Sequence, residues 1–334
     1  MKLEQILSEY SGKKILVTGG AGCVGRNLTM TLLQTDVEHI VIIDDFSSSP
    51  AWNVPNDKRV FLIKGSILDA ETMWHAFSFG PNIVFHLAAH FANQNSVEHP
   101  ETDLMVNGLG TLKALQYSKL VSVQRFVYAS SGCSVYGSQA PLPLEESFVS
   151  LHLDTPYQIH KLLGELYCNF FHDYYGLPVT TARLFNVYGP GEVPGRYRNV
   201  IPNFIWWAMN GKPLPITGTG EETRDFTYVG DVVKGLLVMG ISEEAVGEAI
   251  NLASGTETKI IDLARMVNAM TSNGADVVFL SRRPWDRIIR RRASIEKARK
   301  LLGYEPETDI KTGLSKVYDW LKENYENIKN FARF

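Results

Sequence analysis

The chain has 334 residues, 45% of them hydrophobic and 21% charged, with a formal net charge of −3. That is enough apolar material for one large domain or two moderate ones, and too much for a disordered chain. The near-neutral balance gives no electrostatic reason to expect nucleic acid or an anionic membrane surface as partner. Cys23, Cys133 and Cys168 are odd in number and widely spaced, with no CxxC. A disulfide framework and a zinc site are therefore not expected, and no metal is assigned. The opening MKLEQILSEYSGKK carries Glu4 and Glu9 and lacks a long apolar core. With no apolar run of about 18 residues elsewhere, a cytoplasmic protein without a membrane partner is expected.

The first strand is predicted at Lys14-Ile15-Leu16-Val17-Thr18, a short apolar run of the kind buried on both faces of a parallel sheet. A glycine turn follows at once and opens a helix near 23–34. Gly19, Gly22 and Gly25 fit G-x-x-G-x-x-G, while Gly20, Gly22 and Gly25 fit G-x-G-x-x-G, so the turn reads in either frame. Such glycines let the backbone approach a pyrophosphate, whose charge then meets the free N–H groups of the helix start. The next strand, His39-Ile40-Val41-Ile42-Ile43, ends in Asp44, at about the 20-residue distance expected of a ribose-binding acid. A carboxylate there binds ribose hydroxyls and repels a 2′-phosphate, which favours NAD over NADP, and Asp45 adds to the repulsion.

Further strands are predicted near 60–63, 83–87, 124–129 and 179–185, and helices near 70–78, 101–120 and 155–175. This alternation predicts an α/β fold, a Rossmann-type doubly wound parallel sheet. After residue 186 the character changes. Pro190, Pro194, Pro202, Pro213 and Pro215 interrupt the pattern, and helices follow at 259–272 and 294–302. We expect an NAD-binding domain over 1–186, with chain returns near 226–255, including a strand in EAINLAS (248–254). A smaller, interleaved substrate domain then occupies mainly 187–334.

Tyr157 and Lys161 stand four apart in LDTPYQIHKLLGE, and i,i+4 positions share a helix face. The ammonium beside the phenol would favour phenolate, which can exchange a proton with a carbinol as a hydride leaves or returns. Alone, the spacing occurs on many solvated helix faces. Downstream of a dinucleotide turn it points to nicotinamide chemistry.

TGGAGCVG, Asp44, VFHLAAH (84–90), YASSGCSVYG (128–137), YQIHK (157–161) and RLFNVYGP (183–190) together resemble the extended short-chain dehydrogenase/reductase family. The resemblance is to its NAD-dependent nucleotide-sugar epimerase/dehydratase branch, UDP-glucose 4-epimerase-like. It continues through RNVIPNFI (198–205), GTGEETRDFTYVGDVV (218–233), RRPWD (282–286) and KARKLLGYEP (297–306), and so spans nearly the whole chain. NVYGPGE and RRPWD look like members found among bacterial surface-polysaccharide enzymes. The resemblance implies that Gly19, Gly22, Cys23, Val24, Gly25 and Asp44 hold NAD, with Leu87, Ala88 and Ala89 lining it. Asn107 would hold the loop near the nicotinamide ribose, and Tyr157 and Lys161 would meet that ribose. Asn186, Asn199 and Val200 would meet a nucleotide sugar, with UDP favoured. Arg224 and Arg283 would bind its diphosphate through planar guanidinium forks, with Arg282 or the basic run Arg287 to Arg292 able to take the place of Arg283. That run otherwise reads as a solvated face. Asp286 would touch the nucleotide ribose or pair with an arginine. Trp206, Trp207 and His90 would shape the pocket or pack structurally.

One position departs from the family. Its Ser or Thr, four residues before the Tyr of VYG, is here Gly132. Ser131 and Ser134 are the expected catalytic substitutes and Ser130 a third; a thiol at Cys133 is a weak donor. Alternatively, glycine leaves room for water or a bulky sugar substituent. Dehydratases and decarboxylases of the branch place an acid where this chain has Cys133 and Ser134. Subtraction therefore favours C4 epimerisation by Tyr157, Lys161 and Ser131 or Ser134. The alternatives are a 4,6-dehydratase or decarboxylase, or a pseudo-enzyme that binds NAD or a sugar nucleotide. The resemblance also implies a homodimer through helices 101–120 and 155–175, with Leu112, Leu115, Leu163 and Phe170 as candidate contacts.

Overall fold

The structure, a computed structural model, describes residues 2–334. Seven parallel strands form one sheet. They are β1 (Lys14–Thr18), β2 (His39–Asp44), β3 (Val60–Lys64), β4 (Ile83–His86), β5 (Arg125–Ser131), β6 (Val179–Leu184) and a seventh strand, Ala249–Leu252. From one edge the order is seventh, β6, β5, β4, β1, β2, β3. β1 pairs with β2 on one side, Leu16 opposite Val41, and with β4 on the other, Leu16 opposite Val84. The chain therefore reverses its direction of winding beside β1, and a crevice opens at the carboxyl ends of the central strands. Both faces of the central strands are buried, which is why β1 and β2 read as unbroken apolar runs rather than alternating ones.

The expected elements are present with small shifts that matter for the site. β5 runs two residues past its expected end at 129, and so carries Ser130 and Ser131 to the crevice. The helix expected over 101–120 is not uniform. Pro100–Asp103 and Thr111–Leu120 are α-helical, and between them Leu104–Gly110 makes a widened π-type turn. That turn buries Asn107, which explains why the smooth 3.6-residue reading fails there. The helix Pro156–Tyr175 starts on Thr155, whose hydroxyl accepts from the Gln158 N–H, and stops at Gly176 in the left-handed conformation, φ +68°. Capping fixes Tyr157 in the first turn, at the crevice.

Helix Val229–Ile241 has no expected counterpart in the sequence reading. Ten of its residues are buried, because it lies between the sheet and the segment 298–304, so no polar face marks its period. Ala298, Leu302 and Tyr304 join the same core, so the chain returns to the sheet beyond 226–255 as well. A second apolar core is made only of later residues, among them Ile201, Phe204, Leu263, Leu314 and Trp320. Leu115 belongs to the core of the first region and is not a surface contact; Leu112 packs against that same core. Phe170 is exposed. Among the described residues no helix is long and apolar enough to cross a membrane.

Candidate active site

A cleft of about 510 Å³ runs along the carboxyl ends of β1, β2, β4 and β5. Its floor at one end is the glycine turn. Gly19 has φ +72°, and a Cβ on it would stand 2.7 Å from the Ala88 nitrogen. A Cβ on Gly25 would stand 2.5 Å from the Gly19 oxygen. The turn is thus pressed against both the exit of β4 and the helix Cys23–Leu32, and neither contact admits a side chain. This resolves the two frames. Gly19, Gly22 and Gly25 line the cleft with Cys23 and Val24, whereas Gly20 does not, its missing Cβ making room instead for Ile42.

Asp44 closes the other side of that end. Its Oδ2 accepts from the Ala21 N–H and its Oδ1 from the Phe46 N–H, each at 2.9 Å. Burial pushes its carboxyl up, while these two donors oppose the shift. Each oxygen keeps a further lone pair for a ribose hydroxyl. A backbone cradle that excludes side chains, the N–H groups of a helix start and an acid at the end of β2 together fit a dinucleotide.

Leu87, Ala88, Ala89, Ser130, Ser131, Tyr157 and Lys161 line the opposite end. Lys161 does not bond the Tyr157 hydroxyl. Its Nζ donates to the Ala129 carbonyl at 2.8 Å and lies 5.8 Å from the centre of the Tyr157 ring. Burial lowers the Lys161 ammonium to about 8, with Asp103 foremost among the charges opposing this. Burial also drives the Tyr157 phenol well above its ordinary value, and Asp103 and Cys133 push it further. The one influence that lowers it comes from the neighbouring Ser131 hydroxyl. The expected direct acidification by Lys161 is not seen, because the lysine is anchored on β5 through the Ala129 carbonyl.

The three serines separate cleanly. The Ser130 hydroxyl donates to Glu165 at 2.5 Å, and Glu165 is held by Arg183 at 2.8 Å, so Ser130 is committed to a buried ion pair. Ser134 is fully buried, has no hydrogen-bond partner and lies outside the cleft, contrary to its expected catalytic placement. Ser131 lines the cleft beside Tyr157. At Gly132 a Cβ would fall 1.9 Å from Phe185 Cε2. Phe185 fills the space, so position 132 points into the core and neither water nor a sugar substituent occupies it. Asn107 holds the loop that lines the cleft. It lies outside the cleft itself and braces His90, accepting its N–H at 3.0 Å and donating to its carbonyl at 3.1 Å.

A second cleft of about 530 Å³ joins the first through Phe91, Ala92, Asn93, Cys133, Asn186 and Asn199. Asn186 has φ +30°, a conformation that asparagine tolerates better than most side chains. Its Oδ1 is 3.1 Å from the Cys133 Sγ. Val200, Arg224, Arg283 and Asp286 also line this cleft, so the scattered expectations for a substrate converge in space. Arg224 stands 3.5 Å from Asp286, which therefore pairs with an arginine. Arg283 is exposed and lies over the Trp285 ring. Arg282 is directed away from any phosphate role, donating to the Asp286 and Ile288 carbonyls. Trp207 lines the cleft, while Trp206 stacks on Tyr325 in the second core.

Residues 15–253 match the NAD-dependent epimerase/dehydratase family. The chain belongs to that family. It is 31% identical over 312 residues to a UDP-glucose 4-epimerase of Mycolicibacterium smegmatis, covering 92% of this chain and 98% of the relative. Its fold matches the epimerase Mth375 of Methanothermobacter thermautotrophicus at TM-score 0.98 and 55% identity, over 99% and 98% of the two chains. It also matches a UDP-glucuronic acid 4-epimerase of Bacillus cereus, solved with UDP-glucuronic acid and NAD, at TM-score 0.86 and 30% identity. That match covers 93% of this chain and 100% of the other. The protein is accordingly an NAD-dependent enzyme of the nucleotide-sugar epimerase/dehydratase type.

Three residues escaped the sequence reading. Glu192, buried in the first cleft, accepts from Asn199 Nδ2 at 2.9 Å, and burial pushes its carboxyl up to about 7. Arg198 lines both clefts, its charge facing Glu192, Cys23 and Asp44. Arg291 is 2% exposed, so the basic run is not all solvated. The available signal was the buried alternation Arg291, Ala293, Ile295 along an extended segment.

Proposed function

We propose that this enzyme interconverts the C4 epimers of a nucleotide-activated sugar, with UDP as the favoured nucleotide, through a transient 4-keto intermediate. The observation that carries the reading is the make-up of the loop over the reacting carbon. Where elimination or decarboxylation would call for an acid, the loop offers the Cys133 thiol, set against Asn186, and Ser134, turned into the core. The carboxyl groups in the first cleft are Asp44 at the end of β2, Asp45 after it, and Glu192, which is held by Asn199, so none of them stands on the loop that follows Ser131. General-acid elimination is short of its acid.

In this reading Tyr157 takes the proton of the C4 hydroxyl and later gives it back. Ser131 hydrogen-bonds both the phenol and that hydroxyl, which favours the phenolate at the moment of transfer. Bound NAD supplies the hydride acceptor and, on return, the hydride donor. Lys161 fixes the first helix turn to β5 through Ala129 and offers its ammonium to the nicotinamide ribose. Asn186 and Asn199, the latter oriented by Glu192, hold the sugar nucleotide; Arg224 and Arg283 meet its diphosphate. Residues 1–186 thus serve mainly the cofactor and 187–334 mainly the substrate. Chromatography of products formed from UDP-sugars by the NAD-loaded enzyme tests the reading. A C4 epimer is expected; a 4-keto-6-deoxy sugar or loss of carbon dioxide overturns it.

We also infer a homodimer and a reducing, cytoplasmic setting. Leu104, Met105, Ile159, Leu166 and Phe170 are exposed along the two helical segments 100–120 and 156–175, a contiguous apolar face of the kind that mediates association. Sedimentation of Phe170→Glu should show monomer where the parent shows dimer. Three free thiols support the reducing setting.

A further inference from the structure

We propose that Arg291 receives an anionic group borne by the sugar itself, so that the substrate is a nucleotide-activated uronic acid. This deepens the epimerase reading and rests on it. Arg291 is among the largest fully buried side chains of the protein. Its Nη1 donates to the Gly137 carbonyl at 3.2 Å and its Nη2 to the Cys133 carbonyl at 2.6 Å. Those two carbonyls use two of the five N–H groups and neutralise none of the charge. The acids that face it, Asp286 and Asp154, stand 3.5 Å from Arg224 and 3.9 Å from Arg287 respectively. A guanidinium withdrawn from water without a counter-ion is a heavy cost to the fold, and one that an incoming carboxylate relieves.

The place of this charge selects the ligand group. Arg291 lines the second cleft and is bonded to Cys133, which lies on the wall common to both clefts and two residues from Ser131. That is the sugar end. Arg224, whose charge also reaches Arg291 and Cys133, is already paired with Asp286, and Arg283 lies over the Trp285 ring. A carboxylate at C6 hangs from C5, the neighbour of the reacting carbon. Held by a planar fork on the catalytic loop, it would register C4 against Ser131 and Tyr157. Two carbonyls alone could be braced by a neutral amide, and the buried charge would then serve nothing.

The test compares UDP-glucuronate, UDP-glucose and UDP on the NAD-loaded enzyme, by calorimetry for affinity and by product analysis for turnover. UDP-glucuronate should bind roughly 10- to 100-fold more tightly than UDP-glucose, the range of a charged hydrogen-bonded pair. Arg291→Gln should bring the two within about threefold and leave UDP affinity unchanged, while Arg291→Lys, which keeps the charge, should retain part of the preference. Equal affinity of the parent enzyme for the two sugars overturns the proposal, and this comparison needs no variant to fold. A fall in UDP affinity of Arg291→Gln, equal for both sugars, assigns the guanidinium to the diphosphate and also overturns it. Preferential binding of UDP-glucuronate without epimerisation keeps the anion site and sinks the epimerase reading. Efficient epimerisation of UDP-glucose at equal affinity does the reverse.

Discussion

At the cofactor end of the crevice the glycine turn and Asp44 both come from the residues between Gly19 and Ser49, and close backbone approach shapes the turn. At the substrate end the contacts come from segments scattered between Phe91 and Phe334. The first end needs only a tight turn, a helix start and one acid, all fixed by local geometry. The second is assembled from loops that the second core and the strand Ala249–Leu252 hold in place. A fold of this kind can thus keep its redox partner while its substrate changes, because the two functions rest on different parts of the chain.

That contrast can be broken or sharpened by experiment. The largest effect is expected at the junction of the two ends. Tyr157→Phe should lower kcat about a thousandfold, within the range for a lost general acid–base group, with NAD still bound and the melting temperature nearly unchanged. Undiminished turnover would remove the basis of the mechanism. At the cofactor end, Asp44→Ala should weaken NAD binding by about 10- to 100-fold in a fluorescence titration and relax discrimination against NADP. An effect on sugar affinity alone would contradict the division between the ends.

Between them, the serines give a paired test. Ser131→Ala should cost roughly 10- to 100-fold in kcat through loss of the hydroxyl that would orient the reacting C4 hydroxyl beside Tyr157. Ser134→Ala should leave kcat within about twofold and raise stability by up to about 1 kcal/mol, because it removes a buried hydroxyl that has no partner. The reverse order would mean that the loop turns the other way. The smallest effect concerns Glu192, whose carboxyl rises from 4.5 to about 7 on folding. Over that window the folded chain holds the proton more tightly than the unfolded one, so stability falls as pH rises from about 4.5 to 7. Glu192→Gln should gain a few degrees of melting temperature over the parent above pH 7 and little near pH 4.5. A constant difference across pH would show that the group does not titrate in this way.

The limits of legibility follow the same line. β1, the glycine turn and Asp44 could be read because each obeys a rule of short range. Tyr157 and Lys161 were visible as a pair, yet what the lysine bonds was not, since Ala129 stands on a strand 32 residues earlier. The reading of 101–120 as one helix missed the π-type turn, where burial of Asn107 against His90 overrides local periodicity. Gly132 looked like a missing catalytic group until Phe185, far along the chain, was seen to fill its place.

The amino-acid order alone determined the winding of the sheet, the dinucleotide turn and the preference for NAD, since hydrophobic period, glycine geometry and one acid at a strand end are local properties. Only the tertiary structure decided which serine lies beside Tyr157, where the Lys161 charge goes and that Arg291 is buried against the Gly137 and Cys133 carbonyls. Those outcomes depend on excluded volume and desolvation between residues distant in sequence, and no spacing along the chain encodes either.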